Sequence, residues 1–193
     1  MTDEFLALIK SRRSTRKFKP EQVDQDKLNA IIEAGLYAPS GANAQSWHFT
    51  VIQNQEIIGK MNEDLKEAIA SSDNLPEFMA SKVKAAASNA ASNLFYGAPT
   101  LILVSRQEDG FFSMSDVALA SENIMLAAHA LELGSCWIGS TGWLFNSAKR
   151  NEYLELLQIP QGYSPSHIIL IGERTDSPAQ ATARKENAVN YVK

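Results

Sequence analysis

The chain has little of several things that would announce a function directly. It holds one cysteine, Cys136, in 193 residues. That excludes an internal disulfide and fits a reducing compartment. Its three histidines, His48, His129 and His167, lie far apart and at no metal-ligand spacing. No metal centre is therefore expected, and each reads as a core or surface residue. Cys136 has no histidine near it and reads as a small core residue. No Ser-His-Asp set and no paired carboxylates stand out. No G-x-G-x-x-G follows the first strand-like run, and Gly-Glu-Arg at 172–174 lacks P-loop spacing, so a Rossmann or P-loop nucleotide site is not indicated. No apolar run approaches bilayer length. A net charge of -4 and a pI near 5.4 argue against general nucleic-acid binding. The start, Met1-Thr2-Asp3-Glu4, lacks the charged-then-apolar plan of a signal peptide. A soluble, cytoplasmic protein is expected.

What is present is an ordinary globular share of apolar residues, 45%, in a chain long enough to bury a sizeable core. With no repeat and no dividing linker, residues 1–193 read as a single domain. Thr2 or Asp3 can cap a short first helix that stops near Ser11, with Phe5, Leu6, Leu8 and Ile9 on one face. A second helix starts at Asp24, with Leu28, Ile31, Ile32 and Leu36 as its buried stripe and Gly35 loosening its last turn. A third runs from Glu56 to Ala70. After a polar break at 71–74, Pro76 opens another that passes Met79 and Val83 to about Ala91. The helix capped by Ser115 or Asp116 and ending at Gly134 is apolar nearly all round. It is expected as a central helix or one shared with a second subunit. Residues 147–157 are helical. Strands are expected at Trp47–Ile52, Thr100–Ser105, Ser135–Ile138 and His167–Ile171. The class is α+β, an α/β sandwich with one central sheet and helices on both faces. The tail from Glu173 is polar until Val189, Tyr191 and Val192, a poor core element for its own subunit and fit to wrap a partner.

Two stretches carry the chemistry. Arg12-Arg13-Ser14-Thr15-Arg16-Lys17-Phe18 puts three guanidiniums, an ammonium and two hydroxyls in its first six residues. A guanidinium fork grips phosphate with paired charge-assisted bonds. A solvated basic loop is the plain alternative. Ala38-Pro39-Ser40-Gly41-Ala42-Asn43-Ala44-Gln45-Ser46-Trp47 offers amides in a turn before a strand, suited to a flat ring with polar edges. Its alternative is an ordinary helix-to-strand turn. Together they fit a phosphate-bearing aromatic cofactor.

These stretches, with Phe95-Tyr96-Gly97-Ala98-Pro99-Thr100, Leu133-Gly134-Ser135-Cys136-Trp137-Ile138-Gly139, Ile159-Pro160-Gln161-Gly162-Tyr163 and Arg184-Lys185, resemble the FMN-dependent nitroreductase family from about Ile9 to Lys193. The resemblance implies a mainly antiparallel central sheet flanked by helices, with the C-terminal tail reaching the partner of a homodimer. It implies that Arg12 and Ser14 hold the FMN phosphate and ribityl chain, with Arg13 a further contact. Arg16 would approach the pyrimidine edge of the flavin and stabilise the reduced, anionic ring. Asn43 would bond the ring edge and Gln45 the ribityl hydroxyls. Pro39, Ser40 and Gly41 would cover the other subunit's flavin. Trp137, Ile138, Gly139 and Ser140 would lie beside the ring near N5, with a backbone N–H aimed at it. Gly139 stands where many relatives carry Glu. Arg184 would return to the phosphate, and Lys185 with it. Asn89 or Asn93 would supply a further polar contact. Trp47 is read as core.

The implied activity is ping-pong hydride transfer from NADH or NADPH through flavin N5 to a nitroaromatic, quinone or similar electron-poor acceptor, with no protein side chain acting as nucleophile or acid-base. A related flavoenzyme with another acceptor, of the enoyl-reducing or dehalogenating kind, is the first alternative, with 71–93 as the lid that would decide it. A non-enzymatic polyanion binder is the second. No nucleic acid and no membrane are expected as partners.

Overall fold

The computed structural model describes residues 2–73 and 75–193. Asn74, the last residue of the expected polar break, and the side chains of Thr2, Phe78 and Met79 lie outside the described residues. Four strands form one sheet in the order β1-β2-β4-β3: β1 is Trp47–Ile52, β2 Thr100–Gln107, β3 Gly134–Ile138 and β4 Tyr163–Gly172. Every neighbouring pair is antiparallel. Both faces of β2 and β4 are covered, so their sequences are continuous apolar runs rather than alternating ones. On one face, α3 (Gln55–Ala70), α4 (Glu77–Ser88), α6 (Thr141–Phe145) and α7 (Arg150–Leu156) surround Met61, Leu65, Phe95, Leu101 and Leu170. On the other, α2 (Gln25–Leu36) and α5 (Ser113–Ala130) pack over Ile31, Ile102, Val104, Ile124 and Ile169. A first helix, α1 (Thr2–Ser11), leads in. Asp24 and Asn54 cap α2 and α3, each carboxylate or amide oxygen taking two backbone N–H bonds of the first turn.

Several expectations give way to tertiary context. The apolar residues of α1 do not form a covered face: Phe5, Leu6 and Ile9 are exposed. Leu36 is exposed at the end of α2. Gly35 is not a loosened turn but a close approach, since a Cβ there would come 2.8 Å from Ile124 of α5. α5 starts at Ser113, before either expected cap, and has no side-chain cap. It is also not buried all round, for Met114 and Leu119 face outward. α6 arises where only a loop was expected, α7 is shorter than expected, and α4 stops at Ser88. β4 begins four residues early and runs through Pro165. The proline is tolerated because β3 pairs with β4 only from Ile168 onward, which leaves the proline's missing N–H without a ladder to break on that side. A register irregularity opposite, between Val104 and Ser105, absorbs the rest.

Candidate functional site

The basic arm is built onto the sheet rather than left in solvent. Beyond α1 the chain runs extended beside β3. Ser14 bridges Ser135, Thr15 N–H donates to the Ser135 carbonyl at 2.8 Å, and Lys19 N–H donates to the Glu173 carbonyl at 2.8 Å. Two glycines make room for it. A Cβ on Gly134 would come 2.7 Å from Thr15, and one on Gly172 would come 3.0 Å from Phe18. The arm therefore has fixed backbone from which its guanidiniums project.

Their electrostatics are unbalanced. Nη1 of Arg12 and Nε of Arg13 are buried with no hydrogen-bond partner. Arg12 faces Glu122, whose carboxylate lies 3.9 Å from Nε, at the limit of an ion pair. Leaving a buried donor unpaired costs about 1–3 kcal/mol, more for a charged group, and two such donors in adjacent residues have the chemistry to serve an anion. His129 registers the same field. Its pKa is lowered first by burial, then by the charges of Arg174, Arg12 and Arg13. The Cys136 thiol lies against Ser14 and is raised by burial, an effect that Arg16, Ser14 and Arg12 oppose, so it stays a protonated core group. Arg16 stands over the Tyr96 ring, 6.0 Å from its centroid. A cavity of about 180 Å³ runs along the arm, lined by residues 13–17 and by residues 176–179 at the start of the tail.

The loop before β1 is held differently. It contains a short 3-10 turn, Gly41–Asn43, and three non-glycine residues in the left-handed region: Ala42 at φ 52°, Asn43 at 55° and Gln45 at 49°. Gln45 N–H donates to the Ser40 hydroxyl at 3.0 Å, and the Gln45 amide donates to Asn43 Oδ1 at 3.2 Å. Pro39 leads into the turn. Trp47 is buried and stacked beside Phe49, as core. The loop sits at the β1 edge of the sheet and the arm at the β3 edge. Three strand spacings, about 14 Å, separate those edges. One chain does not bring Asn43 and Gln45 to Arg12 and Ser14.

Around the end of β3, Ile138 is buried and its carbonyl accepts the Thr141 hydroxyl at 3.1 Å. Trp137 is half-exposed and lies flat on His167, ring centroids 3.5 Å apart. Gly139 is exposed, and a Cβ there would have nothing nearer than 3.7 Å, so the fold itself does not require glycine. Ser140 precedes α6 without capping it. A cavity of about 600 Å³ opens here between Gly139, Trp143 and Asn146 on one side and Ala68 and Ser71 of the α3 end on the other. Arg184 turns its guanidinium onto Thr182, and Lys185 is exposed; neither bonds to the arm among the described residues. Asn89 and Asn93 each cap local backbone, at Ala91 and Phe95, and neither meets the arm. Among the described residues no group of histidine, cysteine and carboxylate side chains could hold a metal. No described helix is long and apolar enough to cross a membrane.

Two participants escape sequence reasoning. Tyr96 lies in a stretch already singled out, but only the fold shows it against Arg16. Asp116, expected as a helix cap, instead accepts Gly41 N–H at 2.9 Å and the Ser46 hydroxyl.

Comparison with known proteins bears on family and fold. The profile of the nitroreductase family matches residues 9–173. A nitroreductase from Bacteroides fragilis, solved with bound FMN, is 32% identical, superposes with a TM-score of 0.88, and the match covers 98% of this chain and 99% of that one. A protein of Archaeoglobus fulgidus, provisionally named as an NADH dehydrogenase/NAD(P)H nitroreductase, is 30% identical over 175 residues, 90% of this chain and 87% of its own. Mouse iodotyrosine deiodinase 1 is 30% identical over 112 residues, 57% of this chain and 39% of its own. The fold is that of nitroreductases, and the chain belongs to the nitroreductase family.

Proposed function

We propose that the protein binds FMN and uses it as an NAD(P)H-dependent oxidoreductase, as a homodimer with the flavin between subunits. The observation that carries this reading is the pair of buried, unpartnered guanidinium nitrogens of Arg12 and Arg13 on an arm fixed to the sheet edge. They are the donors a phosphate monoester needs, and the cavity beside them reaches Ser14 and Arg16. FMN, held there, would supply the hydride chemistry that links NADH or NADPH to a nitroaromatic, quinone or similar electron-poor acceptor.

The chain's own contribution is position and charge. Arg12 and Ser14 hold the phosphate and ribityl chain, with Arg13 beside them. Arg184 and Lys185 return to the phosphate from the tail, whose first residues already line the arm's cavity. Arg16 sets a cation at the pyrimidine edge, where it favours electron uptake. Residues Trp137, Ile138, Gly139 and Ser140 would flank the ring, and a backbone N–H from this segment would need no side chain at 139 to serve it. Because Pro39, Ser40, Gly41, Asn43 and Gln45 lie at the far sheet edge, they act on the flavin held by the partner's arm. The second subunit also accounts for the exposed apolar residues Phe5, Leu6, Met114 and Leu119, and for a tail exposed from Thr175 to Lys193.

The deiodinase relative favours one second reading, a flavoenzyme with a halogenated aromatic acceptor. Purified protein, reduced anaerobically with NADH and mixed with a nitroaromatic, a quinone or an iodinated phenol, separates the two by which compound reoxidises it. If no flavin is retained and DNA binds with steep salt dependence, the arm is instead a polyanion site.

A further inference from the structure

We infer that Asp116 is the positioning residue for the flavin-facing loop 40–46, a role that rests on the FMN reading above. Asp116 lies in the first turn of α5, 1% exposed, and forms no ion pair among the described residues. Its oxygens serve the loop. One accepts Gly41 N–H at 2.9 Å, and the other takes the Ser46 hydroxyl. The two bonds therefore grip the loop at its start and at its end, on either side of Ala42, Asn43 and Gln45.

Those three residues hold left-handed backbone, which is unfavourable for non-glycine residues and persists only when surroundings enforce it. Asn tolerates this region; Ala and Gln do so poorly. Besides the loop's own bonds to Ser40, the enforcing groups are the Asp116 carboxyl group and the Phe112 ring, which lies so near Gly41 that a Cβ could not be accommodated. The loop is thus pressed between a buried carboxyl group and an aromatic wall. That geometry decides where the Asn43 and Gln45 amides point, and so whether they meet a flavin. Asp116 itself touches no ligand.

The test is FMN and riboflavin affinity, by flavin fluorescence, for wild type, Asp116→Asn, Gly41→Ala and Arg12→Ala. Loop contacts serve ring and ribityl, so Asp116→Asn should weaken FMN and riboflavin by the same factor, at least ten-fold. The visible circular-dichroism band of the bound flavin should change with it. Gly41→Ala leaves the carboxylate in the chain but displaces the loop against Phe112 and so strains the Gly41 N–H bond to Asp116; it should reproduce both effects, which keeps the inference testable if Asp116→Asn folds badly. Arg12→Ala should weaken FMN far more than riboflavin. Equal FMN affinity in wild type, Asp116→Asn and Gly41→Ala overturns the role of Asp116 and leaves the FMN reading standing. A collapse of the FMN-to-riboflavin ratio in Asp116→Asn overturns it too, because the damage then extends to the arm. Wild type that binds neither flavin overturns both.

Discussion

At the scale of single residues, function and strain are concentrated where ordinary pairing fails. Arg12 and Arg13 bury nitrogens that find no partner. Removing Arg12 should weaken FMN binding by roughly 10–100-fold, the worth of one or two charge-assisted bonds. An equilibrium titration checks this, and an unchanged dissociation constant would remove Arg12 from the phosphate site. His129 offers a readout without mutation. Its pKa is lowered by burial and then by Arg174, Arg12 and Arg13, so an anion seated among those cations should raise it. An imidazole NMR titration with and without FMN measures the shift. His167 bears on stability instead. Burial pushes its pKa from 6.5 to about 3, and its imidazole bonds Ser121 and Ser166. The unfolded chain takes up this proton below 6.5 while the folded chain stays neutral, so stability falls with pH across that window by up to about 1.4 kcal/mol per unit. Urea midpoints for wild type should drop more steeply from pH 7 to pH 5 than those of His167→Asn. Parallel curves would contradict this. The residue types of the arm were legible in sequence, because a charge cluster interrupted by short hydroxyls is a local pattern. Asp116 was not, because its partners lie 75 and 70 residues away and its local context reads equally well as a cap.

At the scale of elements, local rules set the interiors and tertiary contacts set the ends. β1 and α3 were legible because the period-2 and 3.6-residue patterns are strong there. α6 was invisible, since five residues of Thr-Gly-Trp-Leu-Phe have too little length for a period and form a turn only over the buried Leu144 and Phe145. Gly35 and Gly134 looked like turn signals or neutral positions, yet both are contacts. Gly134→Ala should push Thr15 off β3, lower stability by about 1–3 kcal/mol and weaken FMN binding with it. Gly139→Glu should leave stability within about 0.5 kcal/mol of wild type, because the site is exposed and open. Thermal melts of the two variants decide between a glycine needed for packing and one that is not. A large loss at Gly139 would contradict the distinction.

At the scale of the whole molecule, the arm and the loop occupy opposite edges of one sheet, and a cofactor that needs both needs two chains. The residues placed both stretches beside one cofactor because their chemistry is complementary, and the resemblance already implied that 39–41 serve the other subunit; the strand order is consistent with that proposal. A tight monomer that keeps its flavin would contradict this arrangement, and sedimentation of the yellow protein tests it. The most direct measurement is the absorption spectrum of the purified protein before and after anaerobic NADH. The account predicts two flavin bands, in the near-ultraviolet and the blue, that bleach on addition. A colourless protein that takes up no added FMN would contradict the assignment of Arg12, Ser14 and Asn43 together.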